Sequence, residues 1–265
     1  MTMDIYHFSS GDSPLLISVP HAGTHLPVDI ADRMTENAKT TPDTDWHVDR
    51  LYDFADEVGA SLLVATHSRF VVDLNRPADD KNLYPGQNTT GLCPVDCFDE
   101  RPIYLNETDQ PNPAEIARRV PLYWQPYHDK LRETLDRLRE KHGYALLWDA
   151  HSIRSQVPRF FSGRLPDLNI GTANGKSCAA SLADKLLSRA CETNDYTSIL
   201  NGRFKGGHIT RHYGQPDENI HAVQLELSQI TYMNEEPPFA YREDLAAGIK
   251  PVLRNLIEEM IRFKP

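Results

Sequence analysis

Apolar runs at 15–19 (LLISV), 61–66 (SLLVAT) and 144–149 (YALLWD) are too short for buried helices and predict strands covered on both faces. A fourth run, FVVDL at 70–74, predicts one more strand. In AVQLELS (222–228) the pattern alternates, with Val223, Leu225 and Leu227 on one face and Gln224, Glu226 and Ser228 on the other. Val48, Leu51, Phe54, Ala55 and Val58 recur at helical spacing, with Gly59 as the stop and Thr44 or Asp45 as a cap. Leu131, Leu135 and Leu138 predict a helix from about 126 to 141 ended by Gly143, and further helices fall near 175–192 and 243–262. This alternation predicts an α/β fold, a mixed central β-sheet flanked by helices on both faces, as a single domain over 1–265. Residues 75–113 and 152–173 are rich in loop formers, and loops this long inside a domain usually carry function.

Two of the apolar runs end on a histidine. His21 follows LLISVP, and His151 closes YALLWDAH. Ligand crevices in such sheets lie beyond the strand ends, so both histidines are candidate ligands for a divalent metal. One strand-end histidine alone is more often a packing residue; two together, with a carboxylate from DTDWHVD, make a metal site worth testing. Asp45 is the first candidate for that carboxylate and Asp49 the second, while Asp45 as a simple helix cap is the bland alternative. Glu226, in the middle of an otherwise apolar strand, is costly to bury without a partner or a task, and a general base beside activated water is such a task. Arginines punctuate the surrounding loops: Arg69, Arg76, Arg154, Arg159, Arg164 and Arg211. Guanidinium groups there suit an acidic substrate. Gly206, Gly207 and Gly214 suggest a flexible lid carrying Arg211. His47, His67, His208, His212 and His221 remain as further histidines.

The bulk numbers narrow the partners. The 265 residues carry a formal net charge of −10, which disfavours nucleic acid. No apolar stretch approaches a membrane span and no signal peptide is evident, so a cytoplasmic protein is expected. The four cysteines do not form a disulfide framework, and Cys93 and Cys97 lack the second pair that a zinc knot requires. No G-x-S-x-G elbow, Walker motif or dinucleotide fingerprint occurs, which favours metal-activated water over nucleophilic or nucleotide chemistry.

SVPHAGTHLP, TDWHVDRLYDFA, HSRFVVDLNRP, LWDAHSIRSQVPRFFSGRLPDLNIGT, GGHITRHYG and AVQLELSQITYM together resemble the N-formylglutamate amidohydrolase family, over residues from about 15 to 233. The resemblance implies the fold of the zinc carboxypeptidases and aspartoacylase-like deacylases, a phosphorylase/hydrolase-like α/β fold. It also implies hydrolysis of N-formyl-L-glutamate to L-glutamate and formate, the last step of one histidine-degradation route. Its implied zinc ligands are His21, Asp45 and His151, although another divalent metal would serve. Carboxypeptidases place a glutamate three residues after the first histidine; Thr24 stands there in this chain, so the carboxylate must come from later. Glu226 resembles the glutamate that activates water in that superfamily. Asn75 and Arg76 resemble the pair that holds a substrate carboxylate. Arg69 is then expected at the oxyanion, with Arg154 and Arg211 on the remaining carboxylate of a dianionic small molecule. A deacylase for another N-acyl amino acid, or a non-catalytic binding protein for an acidic metabolite, are the alternatives.

Overall fold

The computed structural model describes residues 3–82, 86 and 88–265. Among them, seven strands form one mixed sheet: β1 (Tyr6–Ser9), β2 (Leu15–Val19), β3 (Ser61–Ala65), β4 (Ala145–Ile153), β5 (Leu168–Gly171), β6 (Ser198–Leu200) and β7 (Ile220–Ser228). Their order across the sheet is β1-β3-β2-β4-β7-β5-β6. The central β3, β2, β4 and β7 run parallel, while β1 on β3 and β5 on β7 are antiparallel. The helices are α1 (Val28–Ala31), α2 (Glu36–Lys39), α3 (Val48–Leu51), α4 (Pro113–Arg119), α5 (Gln125–His142), α6 (Ala180–Cys191), α7 (His208–Tyr213) and α8 (Glu243–Arg262).

The sheet is covered on both sides. Leu15, Ile17, Leu146, Trp148, Val223 and Leu225 pack with Leu182, Leu186, Leu253 and Ile257 of α6 and α8. Leu16, Leu63, Ala145, Leu147 and Ala222 pack with Tyr127, Leu131, Leu135 and Leu138 of α5. Side chains alternate along a strand. Asp149 and His151 therefore continue the face of Ala145 and Leu147, and Gln224 and Glu226 that of Ala222. The parallel register sets Asp149 beside Gln224 and His151 beside Glu226, so four polar side chains emerge together near the carboxyl ends of two neighbouring strands.

The segment 70–74 is not a strand. Both edges of β3, the strand just before it, are already taken by β1 and β2, so it does not pair there. Its side chains still bury: Phe70, Val71, Val72 and Leu74 are at most 4 % exposed. Its carbonyls find other partners, for the buried Arg119 guanidinium donates to Val71 O at 2.9 Å and to Phe70 O at 3.4 Å. The helix expected from about 48 shortens to one turn of α3, after which 52–59 proceeds by mixed turns to Gly59. Its N-cap is His47, with no capping side chain, so Thr44 and Asp45 do not cap it. Gly206 and Gly207, expected in a flexible lid, pack closely. Both are buried, and a Cβ on Gly207 would fall 2.3 Å from Asn75 Nδ2, so glycine there lets α7 press on the Asn75 side chain.

Gly23 makes a comparable close approach just beyond His21. A Cβ there would lie 2.3 Å from the Thr66 carbonyl carbon and 2.4 Å from His67 O, both backbone. The 21–25 segment bonds to this neighbour through His25 N to Thr66 O and Ser68 N to His25 O, each 3.0 Å. Gly23→Ala is therefore expected to destabilise by about 1–3 kcal/mol or more, as overpacking does. A urea unfolding midpoint equal to the wild type's would contradict this.

Candidate active site

His21 leaves the end of β2 through Pro20, Asp45 lies before α3, and His151 sits two residues from the end of β4. The fold brings one ligand atom of each within 4.8 Å of the others, and all three side chains are buried. The His21 ring donates through Nε2 to Asp73 Oδ1 at 2.8 Å. That leaves Nδ1, 3.6 Å from Asp45 Oδ2, as a buried lone pair without a hydrogen-bond partner. His151 turns Nε2 to Asp149 Oδ1 at 3.0 Å and Nδ1 to Asp45 Oδ2 at 3.1 Å. Asp45 Oδ1 is likewise buried and unpartnered. Histidines that bind metals characteristically give their second nitrogen to a carboxylate, and the His21 ring does so here, onto Asp73. The residues present thus fit a divalent cation, with two imidazoles and one carboxylate as its protein ligands. Asp49 is exposed on α3 and does not join them.

The charges around this group are strongly coupled to burial. Burial works against the Asp45 carboxylate, but His21 and His151 override it and hold its pKa below the usual range. Burial likewise opposes charge on Asp73, and Arg69 and His21 hold it well below that range. His151 is desolvated too, yet Asp149 and Asp45 keep its pKa well above the ordinary imidazole value. Glu226 goes the other way: burial pushes its carboxyl up to about 8, against the pull of His151. Its orientation is set by Gln224. Gly207 N–H donates to Gln224 Oε1 at 2.7 Å, which leaves Gln224 Nε2 to donate to Glu226 Oε2 at 3.2 Å.

His21, Asp45, His151, Gln224 and Glu226 line a cavity together with Arg69, Asn75, Arg76, Ser152, Phe98, Phe160, Arg203 and Phe204. Arg69 is held by Asp73 at 2.7 Å and lies 3.6 Å from Asp45. Ile209 N–H donates to Asn75 Oδ1 at 2.8 Å and so turns Asn75 Nδ2 toward His151 Nε2, 3.0 Å away. Arg76 donates to Thr90 O, Asn75 O and Thr90 Oγ1. Arg154 and Arg211 are not among the lining residues. Arg211 Nε folds back onto Gly206 O at 2.7 Å, and the charge of Arg154 acts on Asp43 and Asp99 instead. Arg203 stands in the wall without having been singled out by sequence, although NGRF places it directly after a turn-forming Asn-Gly pair. Asp73 was also missed; its four-residue spacing from Arg69 was the available signal.

The Glu226 shift has a sign that can be checked. Its folded pKa of about 8 exceeds the ordinary 4.5, so the stability it contributes is complete below the latter and is lost as pH rises through the former. In metal-free protein, Glu226→Gln should leave the thermal midpoint little changed at pH values near 4.5 and raise it above that of wild type at pH values near 8. A difference between the two proteins that stays constant across that window would contradict the assignment.

The sequence profile of the N-formylglutamate amidohydrolase family matches residues 13–233. The N-formylglutamate deformylase of Pseudomonas putida is 54% identical over 259 residues, 98% of this chain and 96% of that protein. That of Pseudomonas aeruginosa is 54% identical over 260 residues, 98% and 97% of the two chains. The crystal structure of N-formylglutamate amidohydrolase from Ralstonia eutropha JMP134 superposes with a TM-score of 0.81 at 26% identity, covering 98% of this chain and 97% of that one. With a match across most of its length, in sequence and in fold, the chain belongs to the N-formylglutamate amidohydrolase family.

Proposed function

We propose that the chain hydrolyses N-formyl-L-glutamate to L-glutamate and formate, using a divalent metal, zinc first among them, held by His21, Asp45 and His151. The observation that carries this reading is the meeting, in one cavity, of that metal-binding group, a buried glutamate and a set of arginines. Two relatives of nearly full length carry the name N-formylglutamate deformylase, which supplies the substrate. A divalent cation in such a site supplies Lewis acidity toward the formyl oxygen and acidifies the water beside it.

The chain's own residues do the rest. Glu226 accepts a proton from the attacking water while the new C–O bond forms at the formyl carbon, then delivers it to the amide nitrogen as the C–N bond breaks. Gln224 occupies Glu226 Oε2, leaving Oε1 for that proton. Arg69, locked against Asp73, holds positive charge on the cavity wall for the developing oxyanion without having to reorganise. Asn75 and Arg76 hold the α-carboxylate, the group nearest the scissile amide. A cytosolic role in histidine breakdown accords with the four cysteines, all free thiols.

The test is formate release from N-formyl-L-glutamate by zinc-loaded protein. Chelation should abolish it and zinc should restore it. Glu226→Gln should lower kcat by roughly 10²- to 10⁴-fold at unchanged zinc content, as loss of a general base does. A Glu226→Gln protein with wild-type turnover would remove the proposed base. No formate at full zinc loading would remove the proposed substrate, and a panel of other N-acyl amino acids would follow.

A further inference from the structure

Arg203 lines the same cavity as the metal-binding group. We infer that its guanidinium binds the side-chain carboxylate of the substrate and sets the preference for an acidic over a neutral side chain; this rests on the reading of the chain as an N-formyl amino acid hydrolase.

Three arginines line the cavity: Arg69, Arg76 and Arg203. Arg69 is committed to Asp73 and Asp45. Arg76 follows Asn75, whose amide touches the His151 ring, so it belongs to the metal side of the cavity, where the α-carboxylate must lie. Arg203 is held by the segments around 88 and 160. Its Nε donates to Phe160 O at 2.8 Å and its Nη2 to Asn88 O at 3.4 Å. The guanidinium carbon lies 5.9 Å from the Phe160 ring centroid and 5.4 Å from that of Phe204. Arg76 is tethered to Thr90 and Arg203 to Asn88, positions no more than about 7 Å apart along the chain. Both arginines are thus anchored on one short stretch of the cavity wall. The two carboxylate carbons of a glutamate are separated by four carbon–carbon bonds, roughly 5 Å when extended.

The arginine is also prepared for this task. It leaves β6 through Asn201, whose side chain accepts from Thr172 N at 2.9 Å and donates to Thr172 Oγ1 at 2.8 Å, fastening the turn to the end of β5. The two aromatic rings beside it limit the side chain's rotamers and hold the guanidinium in place. A neutral amide in place of the carboxylate would meet the same guanidinium without the charge-assisted bond.

The experiment compares kcat/KM for N-formyl-L-glutamate and N-formyl-L-glutamine in wild type, Arg203→Met, Arg203→Lys and Arg76→Met, with zinc content measured in each. Methionine keeps apolar bulk between the rings. The expected result is that Arg203→Met lowers the glutamate-to-glutamine ratio by roughly 10- to 100-fold, mainly through KM, the size of a charge-assisted hydrogen bond. Arg203→Lys should restore part of that ratio. Arg76→Met should weaken both substrates alike, since both carry the α-carboxylate. If Arg203→Met depresses both substrates equally, or keeps the wild-type ratio, the inference is overturned while the hydrolase reading stands. A wild type that releases formate from neither substrate overturns both.

Discussion

Three carboxylates, Asp45, Asp73 and Asp149, are each at most 1 % exposed and lie around two histidines and one arginine. Carboxylates this deep are tolerated only with cationic or hydrogen-bonding partners, because neither water nor the apolar core can stabilise them alone. Much of the surrounding structure supplies those partners. Arg69 bridges Asp73 and Asp45, His21 bridges the same two from the other side, and Ser152 N–H and His151 both turn to Asp45. In the protein alone the raised pKa of His151 lets a proton furnish part of the compensation. A divalent cation at the same place would replace that proton, so metal binding and proton release are linked there.

The fold explains why this cluster forms where it does. Adjacent parallel strands β4 and β7 carry small or apolar residues where α5 covers them and polar ones beyond it. One strand period thus separates core from chemistry on the same face. The loop bearing Arg69, Asp73 and Asn75 is held down by Arg119, itself fully buried, through the carbonyls of Phe70 and Val71. The charge of Arg119 is met in turn by Glu115, which Arg33 also grips. The ion pairs Arg33–Glu115–Arg119, continued by hydrogen bonds to the Phe70 and Val71 carbonyls, therefore link α4 to the loop that carries Arg69 and Asp73.

Much of this was legible in the sequence wherever the pattern was local. The runs at β2, β4 and β7, the alternation that sets Glu226 against the apolar face, and α5 with its terminal Gly143 all follow from spacing. The short β1 and the three-residue β6 were not legible, because a few half-buried residues carry no usable period. β5 was hidden inside what reads as a loop, its identity coming from pairing with β7 rather than from its own residues. FVVDL failed for the complementary reason: its burial was legible, but whether an edge was free to receive it depends on strands elsewhere. The same limit governed the arginines. Proximity in sequence to strand ends favoured Arg154 and Arg211, whereas the cavity wall takes Arg203 from a turn that only the tether to β5 brings into place.

The central claim is that the buried His21, Asp45 and His151 together hold a divalent metal. Crystals of zinc-loaded protein, measured on both sides of the zinc absorption edge, test it most directly. The expected result is one anomalous peak in contact with His21 Nδ1, the Asp45 carboxylate and His151 Nδ1. A peak held by other residues, or none there at full zinc loading, would contradict the claim.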